Sequence, residues 1–309
     1  MSKLAFVFPG QGSQAIGMLA DLAAEHSIIK ITFDEASVAL GLDLWALAQT
    51  GPEADLNRTE NTQPLLLTAG VAVFRAWQAA GGRAPDYLAG HSLGEYTALV
   101  ASGVISLADG VRLVAERGRL MQLAVPAGEG AMAAILGLDD EAVRQCCADA
   151  AAAGVVEAVN FNAPGQVVIA GSTAAVAVAI EKLKAAGAKR ALPLPVSVPS
   201  HCALMKPAAE KLSIYLDAVT FNAPVIPVVQ NVDAKIASDA AAIRDGLVRQ
   251  LYCPVLWVKS VETLSGLGVT RVLECGPGKV LCGLNKRIVK ELECASLENT
   301  ESFKAALEA

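Results

Sequence analysis

A chain of 309 residues, 53% hydrophobic and only 18% charged, can bury a large core as one domain or as a domain with a smaller insert. Its net charge of −6 argues against a nucleic-acid partner, and its three histidines leave a metal-centred mechanism little to work with. Mean hydropathy is high at +0.44, but the richest apolar run, residues 65–74, stops at Arg75, short of the ~20 residues that a membrane-spanning helix needs.

Residues 3–8 read as a strand, followed by the glycine-rich turn Gly10-Gln11-Gly12-Ser13-Gln14 and a helix. Too few residues precede Pro9-Gly10 to form the apolar region of a secretion signal, so a cytoplasmic protein is expected. The turn also fits the dinucleotide pattern Gly-x-Gly-x-x-Gly/Ala, with Asp34 about twenty residues on. Taken alone it suggests an NAD-dependent oxidoreductase, but that reading leaves the residues that follow without a role.

A short strand at 86–89 runs into Gly90-His91-Ser92-Leu93-Gly94 and then a helix-forming stretch, 95–101. This is the Gly-x-Ser-x-Gly nucleophile elbow in its proper strand–turn–helix context. The tight turn demands small neighbours, and it sets Ser92 at a helix N-terminus, where free amides favour developing negative charge. The Leu93 amide is the natural first oxyanion donor. Residues 106–124 read as the next helix, with Ser106-x-x-Asp109 as a capping box and Pro126 beyond its end. At ~100° per residue, Arg112, Glu116 and Arg119 share a solvated face. Arg117 falls near ~240°, inside the apolar arc, where a guanidinium must find an anion. That anion is either a core carboxylate or carbonyl, or the carboxylate of a substrate.

The middle of the chain reads strand 131–136, helix 139–153, strand 155–161, turn 162–165, strand 166–170, helix 173–186, strand 188–194. That β-α-β-β-α-β order is the ferredoxin-like unit. The expected architecture is therefore α/β: a core of α/β-hydrolase-like type with a parallel sheet, residues 1–126 and 197–309, and an inserted ferredoxin-like subdomain, residues 127–196, with a cleft between them. In the last third, 224–229 and 271–274 read as strands, the second ending in Gly276-Pro277-Gly278 before another helix. Seven cysteines, none in a Cys-x-x-Cys pair, fit small buried thiols in a reducing compartment.

A serine nucleophile needs a base, and only His26, His91 and His201 exist. His26 ends a helical stretch and reads as solvated. His91 adjoins the serine, and successive side chains on extended backbone point to opposite faces. His201 remains. No acid is singled out to orient it among Asp109, Asp139, Asp140, Asp149 and Asp217, and a backbone carbonyl could serve instead.

In order along the chain stand Phe8-Pro9-Gly10-Gln11-Gly12-Ser13-Gln14, Thr62-Gln63-Pro64, the elbow with Glu95-Tyr96, Arg117, Asn160-Phe161-Asn162, Ser197-Val198-Pro199-Ser200-His201, Asn231-Val232-Asp233 and Glu274-Cys275-Gly276-Pro277-Gly278. Over nearly its whole length the sequence resembles the bacterial malonyl-CoA:acyl-carrier-protein transacylases, members of the acyltransferase family of fatty-acid and polyketide synthesis. The resemblance implies a ping-pong reaction supplying fatty-acid synthesis. Ser92 takes malonyl from malonyl-CoA, coenzyme A leaves, and the phosphopantetheine thiol of acyl carrier protein takes the group away, with no permanently bound cofactor.

It further implies a Ser92–His201 dyad with the main-chain carbonyl of Gln250 orienting the histidine, and oxyanion amides at Gln11 and Leu93. Arg117 would bind the malonyl carboxylate, and Gln63, Asn160, Asn162 and Gln166 would stand at substrate-binding positions. The sequence departs from the pattern at Gln230, where asparagine is expected. The carrier is acidic, so docking on this acidic chain needs a local basic patch. Lys182, Lys184, Lys189 and Arg190, or Lys279, Lys286, Arg287 and Lys290, could supply it. An esterase sharing the elbow is disfavoured by the placement of Arg117.

Overall fold

The computed structural model describes residues 2–196, 198–237 and 239–309. Ser197, which opens both the run before His201 and the expected return to the core, lies outside the described residues. Five strands form a parallel sheet: β1 (Lys3–Phe8), β2 (Tyr87–Gly90), β7 (Val228–Val229), β8 (Val269–Glu274) and β9 (Glu293–Ser296), in the order β7-β2-β1-β8-β9. From Leu4 on, β1 (Lys-Leu-Ala-Phe-Val-Phe) is buried on both faces, which is why it reads as an unbroken apolar run. Phe6 and Phe8 pack into the larger cluster with Phe74 and Trp77, and Ala5 and Val7 into another with Trp257 and Val272.

Four further strands, β3 (Gly130–Leu136), β4 (Val156–Ala163), β5 (Gln166–Ser172) and β6 (Arg190–Pro193), make an antiparallel sheet in the order β4-β5-β3-β6. Two helices, Asp140–Ala150 and Thr173–Ala185, close its apolar core over Ile135, Val143, Val167, Ile169 and Leu183. Connectivity and strand order are those of a ferredoxin-like fold. The small sheet is stitched to the rest of the chain at Val255, which gives its amide to Val159 and accepts from Phe161.

Some boundaries differ from those the sequence suggests, each for a local reason. Asp139 caps the first small-sheet helix by accepting from the Ala142 amide at 2.8 Å, and the run ends in a 3₁₀ turn, Ala151–Ala153. The hairpin between β4 and β5 is only Pro164-Gly165, with Gly165 at a φ of 69°. The expected strand over 224–229 shrinks to two residues, because Pro224 and Pro227 have no N–H to give a ladder. Asp34, the acid of the dinucleotide pattern, sits exposed on the helix Ile28–Leu40 paired with Lys30, far in role from a ribose-binding loop end.

Candidate functional site

The elbow is built from contacts that only glycine permits. A Cβ on Gly90 would lie 1.9 Å from the carbonyl of Gly94, and one on Gly94 would lie 2.0 Å from the Phe8 oxygen. Between them, Ser92 sits at φ 52° and ψ −109°, N-capping the helix Leu93–Ala101. Asn231 fastens this strained turn. Its Oδ1 accepts from the Ser92 amide at 2.7 Å, and its Nδ2 donates to the Gly90 carbonyl at 2.6 Å. The Ser92 amide is thereby engaged. The Leu93 amide, first in the helix, has no intrahelical acceptor.

His201 meets the serine from a distant loop. Its Nε2 lies 2.8 Å from Ser92 Oγ, and its Nδ1 lies 2.7 Å from the Gln250 carbonyl. A carbonyl can only accept, so Nδ1 carries the proton and Nε2 presents its lone pair to the hydroxyl. No carboxylate is needed to fix the tautomer. Like Ser92, His201 has a positive φ, 67°, and its amide is tied to the Leu251 carbonyl at 3.0 Å. Burial, and then the nearby Arg117 charge, push its imidazole down to about 3.

Arg117 is fully buried in the helix Leu107–Ala124, as its place in the apolar arc requires. Its Nη1 donates to Gln63 Oε1 at 2.7 Å, while its Nη2 donates to Gln250 Oε1 at 3.0 Å and to Ser92 Oγ at 3.3 Å. Gln63 comes from the buried helix Thr59–Ala79. Those two helices approach closely because Leu107–Ala124 carries Gly118, where a Cβ would lie 2.7 Å from the backbone of Thr59 and Glu60. The guanidinium also faces the Tyr96 ring, 5.3 Å from its centroid.

A cleft of about 560 Å³ opens above the serine between the two sheets, lined among others by Gln11, His91, Ser92, Met132, Asn160, Leu194 and His201. Asn160 contributes to that lining, and its Oδ1 is buried without a hydrogen-bond partner. The other expected site residues fall elsewhere. Gln63 and Gln250 lie wholly buried around Arg117. Asn162 is engaged by His91, Nε2 to Oδ1 at 2.7 Å, which takes His91 away from the serine. Gln166 stands outside the lining, at the start of β5, where Arg287 donates to its Oε1. Gln230 is buried, and it donates to the Ile243 carbonyl at 3.3 Å, away from the elbow bonds of Asn231.

Two residues at the site had no role assigned from the sequence: Asn231 and Glu95. Glu95 is a buried acid in an otherwise apolar helix, the same signal that exposed Arg117, and it would have been found by the same helical projection. Burial pushes its carboxyl up to about 7, against the pull of hydrogen bonds from Gln250 and Asn231 and of the Arg117 charge. Among the described residues no cluster of three or more His, Cys, Asp or Glu could hold a metal ion, and no helix is long and apolar enough to cross a membrane.

Residues 5–269 match a family model described as the acyl transferase domain. The chain is 62% identical over 308 residues to the malonyl CoA-acyl carrier protein transacylase of Escherichia coli strain K12, covering 100% of both. Its structure is similar to that of an acyl carrier protein S-malonyltransferase from Vibrio cholerae O1 biovar eltor, with a TM-score of 0.97 at 60% identity over 98% of this chain and 99% of that one. It is equally similar to a malonyl-transacylase solved in complex with its type II PKS acyl-carrier protein, with a TM-score of 0.98 at 58% identity over 99% of each chain.

Proposed function

The chain belongs to the acyl transferase domain family, and on that footing we propose that it moves malonyl from malonyl-CoA to the phosphopantetheine thiol of acyl carrier protein through an ester on Ser92. The observation that carries this reading is the convergence on one oxygen. Ser92 Oγ lies 2.8 Å from the lone pair of a buried imidazole and 3.3 Å from a buried guanidinium.

In the first half-reaction the hydroxyl attacks the thioester carbon as its proton passes to His201 Nε2. The amides of Leu93 and Gln11 receive the negative charge that builds on the carbonyl oxygen, the first supported by its place at a helix N-terminus. The tetrahedral adduct collapses, the carbon–sulfur bond breaks, and the imidazolium returns the proton to the departing coenzyme A sulfur. The second half-reaction runs the same steps backwards with the carrier thiol as nucleophile. The Gln250 carbonyl keeps His201 in the working tautomer throughout.

Arg117 is the partner for the free carboxylate of the malonyl group, which distinguishes that group from acetyl. Gln63 supports this arginine, and Asn160, which lines the cleft, belongs to the substrate wall. Asn162 acts through His91, and Gln166 through Arg287, so both are further from the acyl group. Each step uses this chain's own residues, and no permanently bound cofactor is required. We assign residues 1–126 and 197–309 to the catalytic core and 127–196 to the subdomain that roofs the cleft. The cysteines Cys146, Cys147, Cys202, Cys253, Cys275, Cys282 and Cys294 are all free thiols, which supports a cytoplasmic setting.

Intact-mass measurement after mixing with malonyl-CoA tests the reading. The wild type should gain one malonyl adduct that holo-carrier protein removes, and Ser92→Ala should gain none. An adduct on the alanine variant would overturn it.

A further inference from the structure

Glu95 is fully buried three residues after Ser92, and neither the attack nor the proton transfer uses it. Its Oε2 accepts from two donors, Gln250 Nε2 at 2.8 Å and the Asn231 amide at 3.1 Å, while Oε1 is shielded and unpartnered. Whether or not Oε1 carries a proton, Oε2 remains an acceptor. The Gln250 carboxamide therefore has one allowed face. Its NH₂ group points to Glu95 and to the Ser92 carbonyl at 3.0 Å, which leaves Oε1 to accept from Arg117 at 3.0 Å. Turned over, the amide would set its own N–H groups against the guanidinium donors and leave Oε2 of Glu95 facing an oxygen. Both arrangements strand buried polar atoms.

We propose that Glu95 is a positioning residue for recognition of the acyl carboxylate: by fixing the face of the Gln250 carboxamide it holds Arg117 with Nη2 turned towards Ser92 Oγ. This rests on the roles given above to Ser92 and Arg117. It separates two duties of Gln250, whose carbonyl orients His201 and whose side chain orients the arginine. The acyl group that depends on Glu95 is one bearing a carboxylate; a neutral acyl group such as acetyl has nothing for Arg117 to hold.

The test compares Glu95→Gln and Glu95→Leu with the wild type, using malonyl-CoA and acetyl-CoA as donors and reading kcat and KM for each. A glutamine at 95 can offer its carbonyl oxygen to the same two donors, so its malonyl-over-acetyl preference in kcat/KM should stay within about threefold of wild type. The leucine variant keeps volume but offers no acceptor. Its preference should fall by about tenfold or more, chiefly through a higher KM for malonyl-CoA. Equal losses for both donors would mean that Glu95 merely supports the elbow, and would overturn the inference. Should the leucine variant not fold, Gln250→Met, which keeps the carbonyl and removes the carboxamide, must show the same selective loss; an unchanged preference there is equally fatal. Failure of wild-type Ser92 to take up malonyl at all would instead sink the proposed function.

Discussion

At Ser92 and His201 the backbone is bent to φ values of 52° and 67°, a region that L side chains rarely occupy. Both are held there by bonds from outside their own segments, Asn231 for one and Leu251 for the other. That over-determination lets the imidazole sit buried and uncharged beside Arg117. With its pKa pushed down to about 3, His201 remains a free base far below the 6.5 of an ordinary histidine. The acid limb of kcat/KM for malonylation should therefore lie well below pH ~6, and a limb centred near ~6.5 would contradict this. Glu95 runs in the opposite direction, being raised from 4.5 to about 7 by burial. The folded protein binds this proton more tightly than the unfolded chain does. Its contribution to stability is present below about 4.5 and lost as pH rises through 7. Thermal melts from pH 5 to 8 should show a fall in the wild type that Glu95→Gln lacks; parallel curves would refute the shift. Arg117→Ala should lower malonyl transfer by about 100-fold or more while sparing transfer of acetyl, as loss of one charged hydrogen-bonding partner predicts. Arg117 and Ser92 were legible in the sequence because each breaks a local pattern. The group that orients His201 was not legible in the residues themselves and entered only through the resemblance, because the carbonyl of Gln250 leaves no signature in the identity of a side chain.

Among elements, the elbow helix is placed by absence of side chains rather than by attraction. Gly94 lets the helix Leu93–Ala101 abut the end of β1, and Gly118 lets two long helices bring Gln63 to Arg117. An added methyl at Gly94 would meet the Phe8 carbonyl at 2.0 Å, in backbone that cannot yield without moving β1. Gly94→Ala should cost about 3 kcal/mol or more in urea unfolding, with loss of the malonyl adduct; near-wild-type stability would show that the elbow is looser than these contacts imply. The pattern of strands and helices across 130–193 was readable because apolar alternation and capping residues agree there, as at Asp139. The end of the parallel sheet was not, since Pro224 and Pro227 suit extended backbone yet cannot donate to a neighbouring strand. The glycine turn after β1 misleads for a related reason. Its Gln11 lines the cleft beside Ser92, and Asp34 sits exposed on the helix Ile28–Leu40, paired with Lys30.

On the scale of the whole molecule, the cleft lies between a parallel and an antiparallel sheet that share few covalent crossings, and the residues at its seam bear on how the carrier approaches. The proposed carrier partner is expected to be acidic and this chain has a net charge of −6, so long-range attraction between them has to be local. The two basic clusters are not equally free. In the first, Lys184 is engaged by Glu181 at 2.8 Å. In the second, Lys279 faces Glu298 at 3.7 Å, and Arg287 reaches across to Gln166 and the Pro164 carbonyl of the small sheet, so that this cluster sits on the seam itself. Composition alone could not rank them, because position relative to the cleft is a property of the fold. Reversing Lys286 and Lys290 to glutamate should reduce kcat/KM for holo-carrier protein by about tenfold at low salt, and by much less at ~0.5 M salt, where the screening length drops to a few ångströms. Malonylation of Ser92 by malonyl-CoA reports on the active site separately, so a loss confined to the carrier step locates the docking charge. If reversal at this cluster and at Lys182 and Arg190 leaves the carrier step untouched at every salt concentration, recognition is not electrostatic.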